Sequence, residues 1–399
     1  MALTRIVDLL GRDSFPAQTL HRDYLHVPGA IKTPGDLFGF DVLNDVLAQH
    51  RLEPPRLRLY AEGKPVPADQ YTEPVTSLTQ TVSRRVRPEL LRELLEDGAS
   101  LILDKGDELH EPLEFFAAEL EQWLHTQVHV NVYASWTARP GFSIHWDRHD
   151  AVIVQIEGSK RWKIYGPTRY KPVLRDVVDN EAPPGDPIAE VVMKPGDVLY
   201  LPRGWWHQVT ADQGEHSLHV TAGLAPPHTG DRFVSWLATR LLASPTFRED
   251  PPILAPLEEQ VTYLRRVWAE LDAALSDPLV LDRYARAMDV GYRGRPRASL
   301  PYLGEPPADP DLLVRLTSYR LRHEPVEVDG RQLLRVSGAG TEVQLIPSDL
   351  PPLLLLTQIG WHRFGALADI GDMSVDAVVE LVDELVRAEM ATVKKADRP

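Results

Sequence analysis

The stretch from Val128 to Tyr165, VHVNVYASWTARPGFSIHWDRHDAVIVQIEGSKRWKIY, constrains this chain more than any other. It holds His145-Trp146-Asp147, a compact metal half-site. Residues i and i+2 of a β-strand point to one face, so the imidazole and the carboxylate can reach a single ion. Further on, the alternation in Lys160-Arg161-Trp162-Lys163-Ile164-Tyr165 puts Lys160 on the face of Trp162 and Ile164 and turns Arg161 and Lys163 outward. A lysine on an apolar face needs an anion, because burying a lone ammonium is costly. A metal pair followed by an inward cation implies a small acidic ligand, chelated at one end and paired at the other.

A third ligand is expected downstream. In Met193–Val209, MKPGDVLYLPRGWWHQV, turn residues flank a short apolar run before His207, the signature of a β-hairpin. His149, His216 and His219 are nearby alternatives. His145, Asp147 and His207 are preferred, since two share a strand face and the third ends a hairpin. Two imidazoles and one carboxylate leave coordination positions open, the arrangement of non-haem Fe(II) oxygenases. Turns at Arg139-Pro140-Gly141, Glu157-Gly158, Pro183-Pro184-Gly185 and Pro195-Gly196 space short strands as in a sandwich or jelly-roll barrel. In the last strand, Ser217, His219 and Thr221 share a face, which makes Thr221 a candidate to line the cofactor pocket.

The string HWDRHDAVIVQIEGSKRWKIYGP resembles the JmjC 2-oxoglutarate oxygenases, and within them the ribosomal oxygenase (cupin-4-like) group. PGDVLYLPRGWWHQV and HSLHVTAGL resemble that group's distal strands. The resemblance implies an α+β chain built on a double-stranded β-helix (jelly-roll, cupin) JmjC core. It implies Fe(II) on His145, Asp147 and His207, and 2-oxoglutarate with its C5 carboxylate on Lys160. It also places Asn131 in the co-substrate pocket. The implied reaction is hydroxylation of an arginine or histidine side chain in a protein or peptide, such as a basic ribosomal protein. A demethylase would share the whole iron apparatus, but no chromatin-reading module or basic surface is visible. Two other readings stand beside the hydroxylase: a tailoring enzyme of a biosynthetic peptide or small metabolite, and a non-catalytic cupin-type binding protein.

Residues 1–230 read as the JmjC/cupin-like catalytic domain with an N-terminal α/β elaboration. Within it, Arg87–Glu96 is an amphipathic helix with proline in its first turn, Ser100–Leu103 a strand, and Leu113–His125 a second helix. Residues 231–300 carry apolar positions near helical spacing, among them Trp236, Leu264 and Trp268. By the resemblance, this helical segment forms a homodimer. Pro301–Pro310, PYLGEPPADP, is a linker. Residues 310–399 then read as a winged-helix-like domain whose last helix is capped by Ser374. That helix and its end hold Asp376, Glu380, Asp383, Glu384 and Glu389 against Arg387, which argues against DNA binding.

A net charge of −15 likewise argues against direct nucleic-acid binding and suits a basic protein partner. No run approaches the roughly 18 apolar residues of a membrane span. The first residues lack a secretory pattern, and there are no cysteines, so a cytoplasmic location is expected.

Overall fold

The structure, a computed structural model, describes residues 5–76, 82–137, 139, 141–173, 176, 182–211, 216–225 and 228–396. Pro140 of the expected Arg139-Pro140-Gly141 turn lies outside them. The chain divides into two compact units, Met1–Pro226 and Pro227–Pro399.

The first unit carries helices α1 (Ile6–Leu10), α2 (Ser14–Gln18), α3 (Phe40–Gln49), α4 (Pro88–Glu96) and α5 (Glu111–Leu124). Its early strands are β1 (Leu25–Val27), β2 (Leu57–Ala61), β3 (Lys64–Pro65), β4 (Thr72–Thr76), β5 (Val82–Val86) and β6 (Ser100–Leu103). The barrel strands follow: β7 (Val128–Ser135), β8 (Asp150–Gly158), β9 (Lys160–Pro167) and β10 (Ala189–Met193). Then come β11 (Val198–Leu201), β12 (Trp205–Ala211) and β13 (Ser217–Leu224). They form an eight-stranded sheet, β1-β11-β8-β13-β7-β6-β2-β3, a smaller sheet, β10-β9-β12, and the separate hairpin β4-β5.

Strand alternation decides where the cavity lies. On one face of the large sheet, Val128, Val130, Val132, Val152, Val154, Val220 and Ala222 join the main core, where Leu113, Phe116 and Leu120 of α5 also pack. The other face is shared between a second apolar cluster and polar residues. Ala151, Ile153, Leu199 and Leu201 meet Trp162, Ile164 and Met193 of the small sheet. Beside them, His129, Asn131, Tyr133, His219 and Thr221 line a cavity of about 330 Å³. A slip of one residue in β7 or β13 would exchange the two sets, so the core fixes the site's register.

The second unit runs α6 (Gly230–Leu241), α7 (Leu257–Leu275) and α8 (Val280–Gly291), then β14 (Leu313–Leu316), β15 (Arg322–Val328), β16 (Arg331–Gly338) and β17 (Thr341–Leu345). It ends with α9 (Leu350–Leu356), β18 (His362–Arg363), α10 (Phe364–Gly371), α11 (Val375–Arg387) and β19 (Ala391–Lys394). One sheet is the meander β15-β16-β17 and the other is β18-β14-β19. The Ser374 hydroxyl caps α11 by accepting from the Ala377 N–H at 3.2 Å. Among the described residues, no helix is long and apolar enough to cross a membrane.

Candidate active site

His145, Asp147 and His207 converge: one ligand atom from each lies within 4.8 Å of the others. The expected strand at His145–Asp147 is reduced to a single bridge, in which His145 and His207 exchange backbone hydrogen bonds of 3.1 and 2.8 Å. Asp147 follows outside any strand, and its carbonyl accepts the Gly204 N–H at 2.8 Å. His207 lies inside β12 rather than at the end of a hairpin. Pairing of β12 with β9 shifts register between Trp205 and His207, and such a bulge re-aims the side chain that follows it. Gly204, at φ +81°, belongs to the same device, since a Cβ there would meet Pro172 at 2.6 Å. The Arg203 N–H before it is fixed by the buried Asp150 carboxylate at 2.9 Å.

Both imidazoles are prepared for a metal. His145 Nδ1 lies 2.8 Å from the Ser143 carbonyl and His207 Nδ1 lies 3.1 Å from that of Trp205. A carbonyl can only accept, so each Nδ1 carries the proton and each Nε2 keeps its lone pair. His207 Nε2 then points at Asp147 Oδ2, 3.7 Å away, and the two imidazole rings lie 4.4 Å apart. Burial, helped by His145, holds His207 down to about 4. For Asp147 burial works upward, but His149, His207 and His145 outweigh it and its carboxyl sits below the usual range. A neutral imidazole pair and an ionised carboxylate are the states that bind a divalent metal. The donor set fits a non-haem iron with open positions.

Lys160 closes the far end of the cavity. It is 6% exposed and donates to the Ser135 hydroxyl at 2.8 Å, its one partner among the described residues. Burial pushes its ammonium down to about 8. Arg161 and Lys163 turn outward as the alternation requires. Asn131 lines the cavity, and its Oδ1 accepts the Lys105 N–H at 3.0 Å. The Asn131 side chain also bonds the Tyr133 hydroxyl, and burial raises Tyr133 so that it stays protonated. Thr221 lines the same cavity, opposite Asn131 in the β13–β7 register.

Of the aromatic residues near the motif, Tyr133 reaches the cavity, whereas Trp146 packs with Tyr165 and Trp206 in a small core of its own. Sequence reasoning missed the wall supplied by the early strands. Arg58 of β2 and Ser100 of β6 line the cavity with Phe142, and Asp104 clamps the Arg58 guanidinium at 2.6 and 2.7 Å. The alternating Leu57-Arg58-Leu59-Tyr60 was a sign of an inward arginine, but only the sheet order brings β2 beside the barrel.

Residues 108–231 match the JmjC domain family. The chain carries a JmjC domain. Over 186 residues it is 31% identical to the bifunctional lysine-specific demethylase and histidyl-hydroxylase NO66 of Drosophila persimilis, covering 47% of this chain and 26% of that protein. Over 162 residues it is 30% identical to ribosomal oxygenase 1 of Gallus gallus, covering 40% of this chain and 27% of the relative. The chain thus spans about a quarter of the length of these relatives. The crystal structure of the ribosomal oxygenase YcfD of Escherichia coli superposes with a TM-score of 0.59 at 19% identity, covering 98% of this chain and 99% of that one. Another structure of YcfD, in complex with cobalt and 2-oxoglutarate, gives a TM-score of 0.57 at 18% identity, covering 96% and 98%. The JmjC fold of the barrel is therefore shared with a ribosomal oxygenase.

Proposed function

We propose that this chain is an Fe(II)- and 2-oxoglutarate-dependent hydroxylase of a protein side chain, an arginine or histidine of a ribosomal protein. One observation carries the reading. A His-Asp-His triad with both Nδ1–H groups tied to carbonyls shares its cavity with a buried lysine that lacks a carboxylate partner among the described residues. The metal and the 2-oxo acid, when bound, supply the O2-derived oxidant, coupled to loss of CO2 and formation of succinate.

The protein's own part is positioning. His145, Asp147 and His207 would hold the ion, which would offer its remaining positions to the 2-oxo acid and O2. Lys160 pairs with the distal carboxylate, and Asn131, Tyr133 and Thr221 line the space between. Phe142 and Arg58 form a further wall of the same cavity. The acidic chain suits a basic protein substrate. The same reading places the protein in the cytoplasm.

The reading divides the chain into a catalytic domain over 1–230, a dimerising helical segment over 231–300 and a winged-helix-like module over 310–399. Support for the dimer comes from α7, which has no buried residue and shows Leu257, Leu264, Trp268 and Leu275 as an apolar stripe. The deciding experiment compares intact masses of ribosomal proteins from cells with and without the gene. Loss of one oxygen atom's mass from one ribosomal protein is the expected result. Unchanged masses, with turnover on a small metabolite, would favour the tailoring reading; a protein that turns over no 2-oxoglutarate would be a non-catalytic cupin.

A further inference from the structure

Asp147 and His207 lie far apart in the chain, and a further carboxylate ties together the segments that carry them. Asp150 opens β8, is 1% exposed and does not line the catalytic cavity. Its Oδ1 accepts the Arg203 N–H at 2.9 Å and the Tyr200 hydroxyl at 3.2 Å. Burial raises Tyr200, so the phenol keeps the proton that it donates. Both donors stand just ahead of Gly204 and of the bulge that aims His207. One oxygen on the segment that follows Asp147 thus fastens the approach to His207. A carboxylate held at a single oxygen can still turn about χ2, a broad and roughly two-fold torsion. Its grip depends on what meets the other oxygen.

That oxygen, Oδ2, lies 2.7 Å from Nδ1 of His21, a residue of the N-terminal segment. Two facing lone pairs would repel, so this Nδ1 carries a proton. The atoms are not aligned as a hydrogen bond, and charge carries the contact. His21 also donates its backbone N–H to the Tyr200 hydroxyl oxygen at 2.8 Å. It therefore holds both Asp150 and one of the two donors to Asp150. It does so at φ +60°, a left-handed backbone that costs a residue with a Cβ about 1 kcal/mol. Such strain persists where the surroundings over-determine it. Before His21, the buried Phe15 packs edge-on to Tyr200 with ring centroids 4.8 Å apart. After it, β1 pairs with β11 and sets Leu25 opposite Tyr200.

We propose that His21 and Asp150 are positioning residues of the metal site, through which the N-terminal segment sets the spacing between the Asp147 and His207 arms. Neither is a metal ligand, and both act through other residues. His21 stops the Asp150 carboxylate from turning, and Asp150 fixes Arg203. The Gly204 N–H is then held where it meets the Asp147 carbonyl at 2.8 Å. This inference rests on the metal-site reading above.

The test uses the full chain and Co(II), read by its affinity and by its visible absorption bands. His21→Gly keeps the left-handed backbone without strain and removes the imidazole. It should weaken Co(II) about tenfold, the low end for the partners of metal ligands, and shift the bands. His21→Asn tolerates the same backbone and keeps an N–H for the carboxylate, so it should restore most of the loss. A second readout needs no metal. Amide hydrogen exchange of the metal-free His21→Gly protein should quicken at Arg203 and Gly204 and stay unchanged along β13. A merely structural role would lower the unfolding midpoint and leave affinity, bands and those two amides as in the wild type. That result overturns the proposal. So does a loss that His21→Asn fails to relieve, or exchange that quickens equally along β13. A wild-type protein that binds no Co(II) removes the metal-site reading instead, while the two amides still test the link from His21 to the His207 arm.

Discussion

In the C-terminal unit Asp289 is wholly buried and both its oxygens are taken, Oδ1 by Arg320 at 2.7 Å and Oδ2 by Arg322 at 2.6 Å. In the barrel, Lys160 is nearly as deep and is met by one hydroxyl, with His219 beside it lacking a partner at Nδ1 among the described residues. Both regions bury charge. The first is complete in the folded chain and acts as a staple between α8 and the residues that lead into the meander. The second is met by a single hydroxyl, and under the proposed function a carboxylate would complete it. Burial of charge therefore does not by itself mark a functional site here.

The largest expected effect tests whether the incomplete region is catalytic at all. His145→Ala, Asp147→Ala and His207→Ala should each abolish Fe(II)-dependent 2-oxoglutarate turnover, with the circular dichroism spectrum unchanged. Full turnover in His207→Ala together with none in His216→Ala would move the third ligand.

The staple comes next. Asp289→Asn leaves two guanidiniums without a counter-charge and should cost about 3–5 kcal/mol in urea unfolding, the range for breaking a buried ion pair. Arg322 is 31% exposed, which puts the expectation at the lower end. The affinity for 2-oxoglutarate should not move. A stability loss indistinguishable from that of a surface substitution would erase the contrast between the regions.

Lys160 should behave in the opposite way. Lys160→Ala should weaken 2-oxoglutarate on the Mn(II)-loaded protein by about 2–5 kcal/mol, and Lys160→Arg by less. Lys160→Met, which keeps the bulk without the charge, should leave the ligand-free protein no less stable by thermal unfolding. The pH dependence has a definite sign. Only the ammonium pairs with a carboxylate, and the free protein loses that proton near 8. Affinity should be level below that pH and fall by about tenfold per unit above it, because binding must then take up a proton. In Lys160→Arg the fall should vanish, since arginine keeps its proton. A wild-type affinity that stays constant through alkaline pH would show that Lys160 is not the carboxylate's partner.

The smallest effect concerns the helical segment. Leu264→Glu with Trp268→Glu should convert a dimer into a monomer by light scattering at micromolar protein, with little change in the affinity of the barrel for 2-oxoglutarate. A wild-type monomer would leave the exposed stripe on α7 without its proposed partner.

Much of the barrel was legible in advance because its signals are local. Period two in Lys160–Tyr165 gave the inward lysine, and the Gly and Pro turns gave the short strands. The spacing in His145-Trp146-Asp147 gave two ligands that converge even though the backbone there is one bridge. The rest required partners distant in sequence. Arg58 reaches the cavity only because β6 and β2 extend the large sheet beyond β7. His219 and Thr221 look alike in the alternation, and the bulge after Leu218 and the stack on Tyr133 are what single out His219.

By itself the sequence determined the residues of the metal half-site, the inward cation, the strand-rich core and the helices that follow, because each depends on side-chain chemistry and short-range periodicity. Only the tertiary structure decided which nitrogen of each imidazole carries the proton, and which buried groups lack partners among the described residues. Those outcomes depend on backbone carbonyls, bulges and sheet order, which bring together atoms up to tens of residues apart and leave no local pattern in the chain.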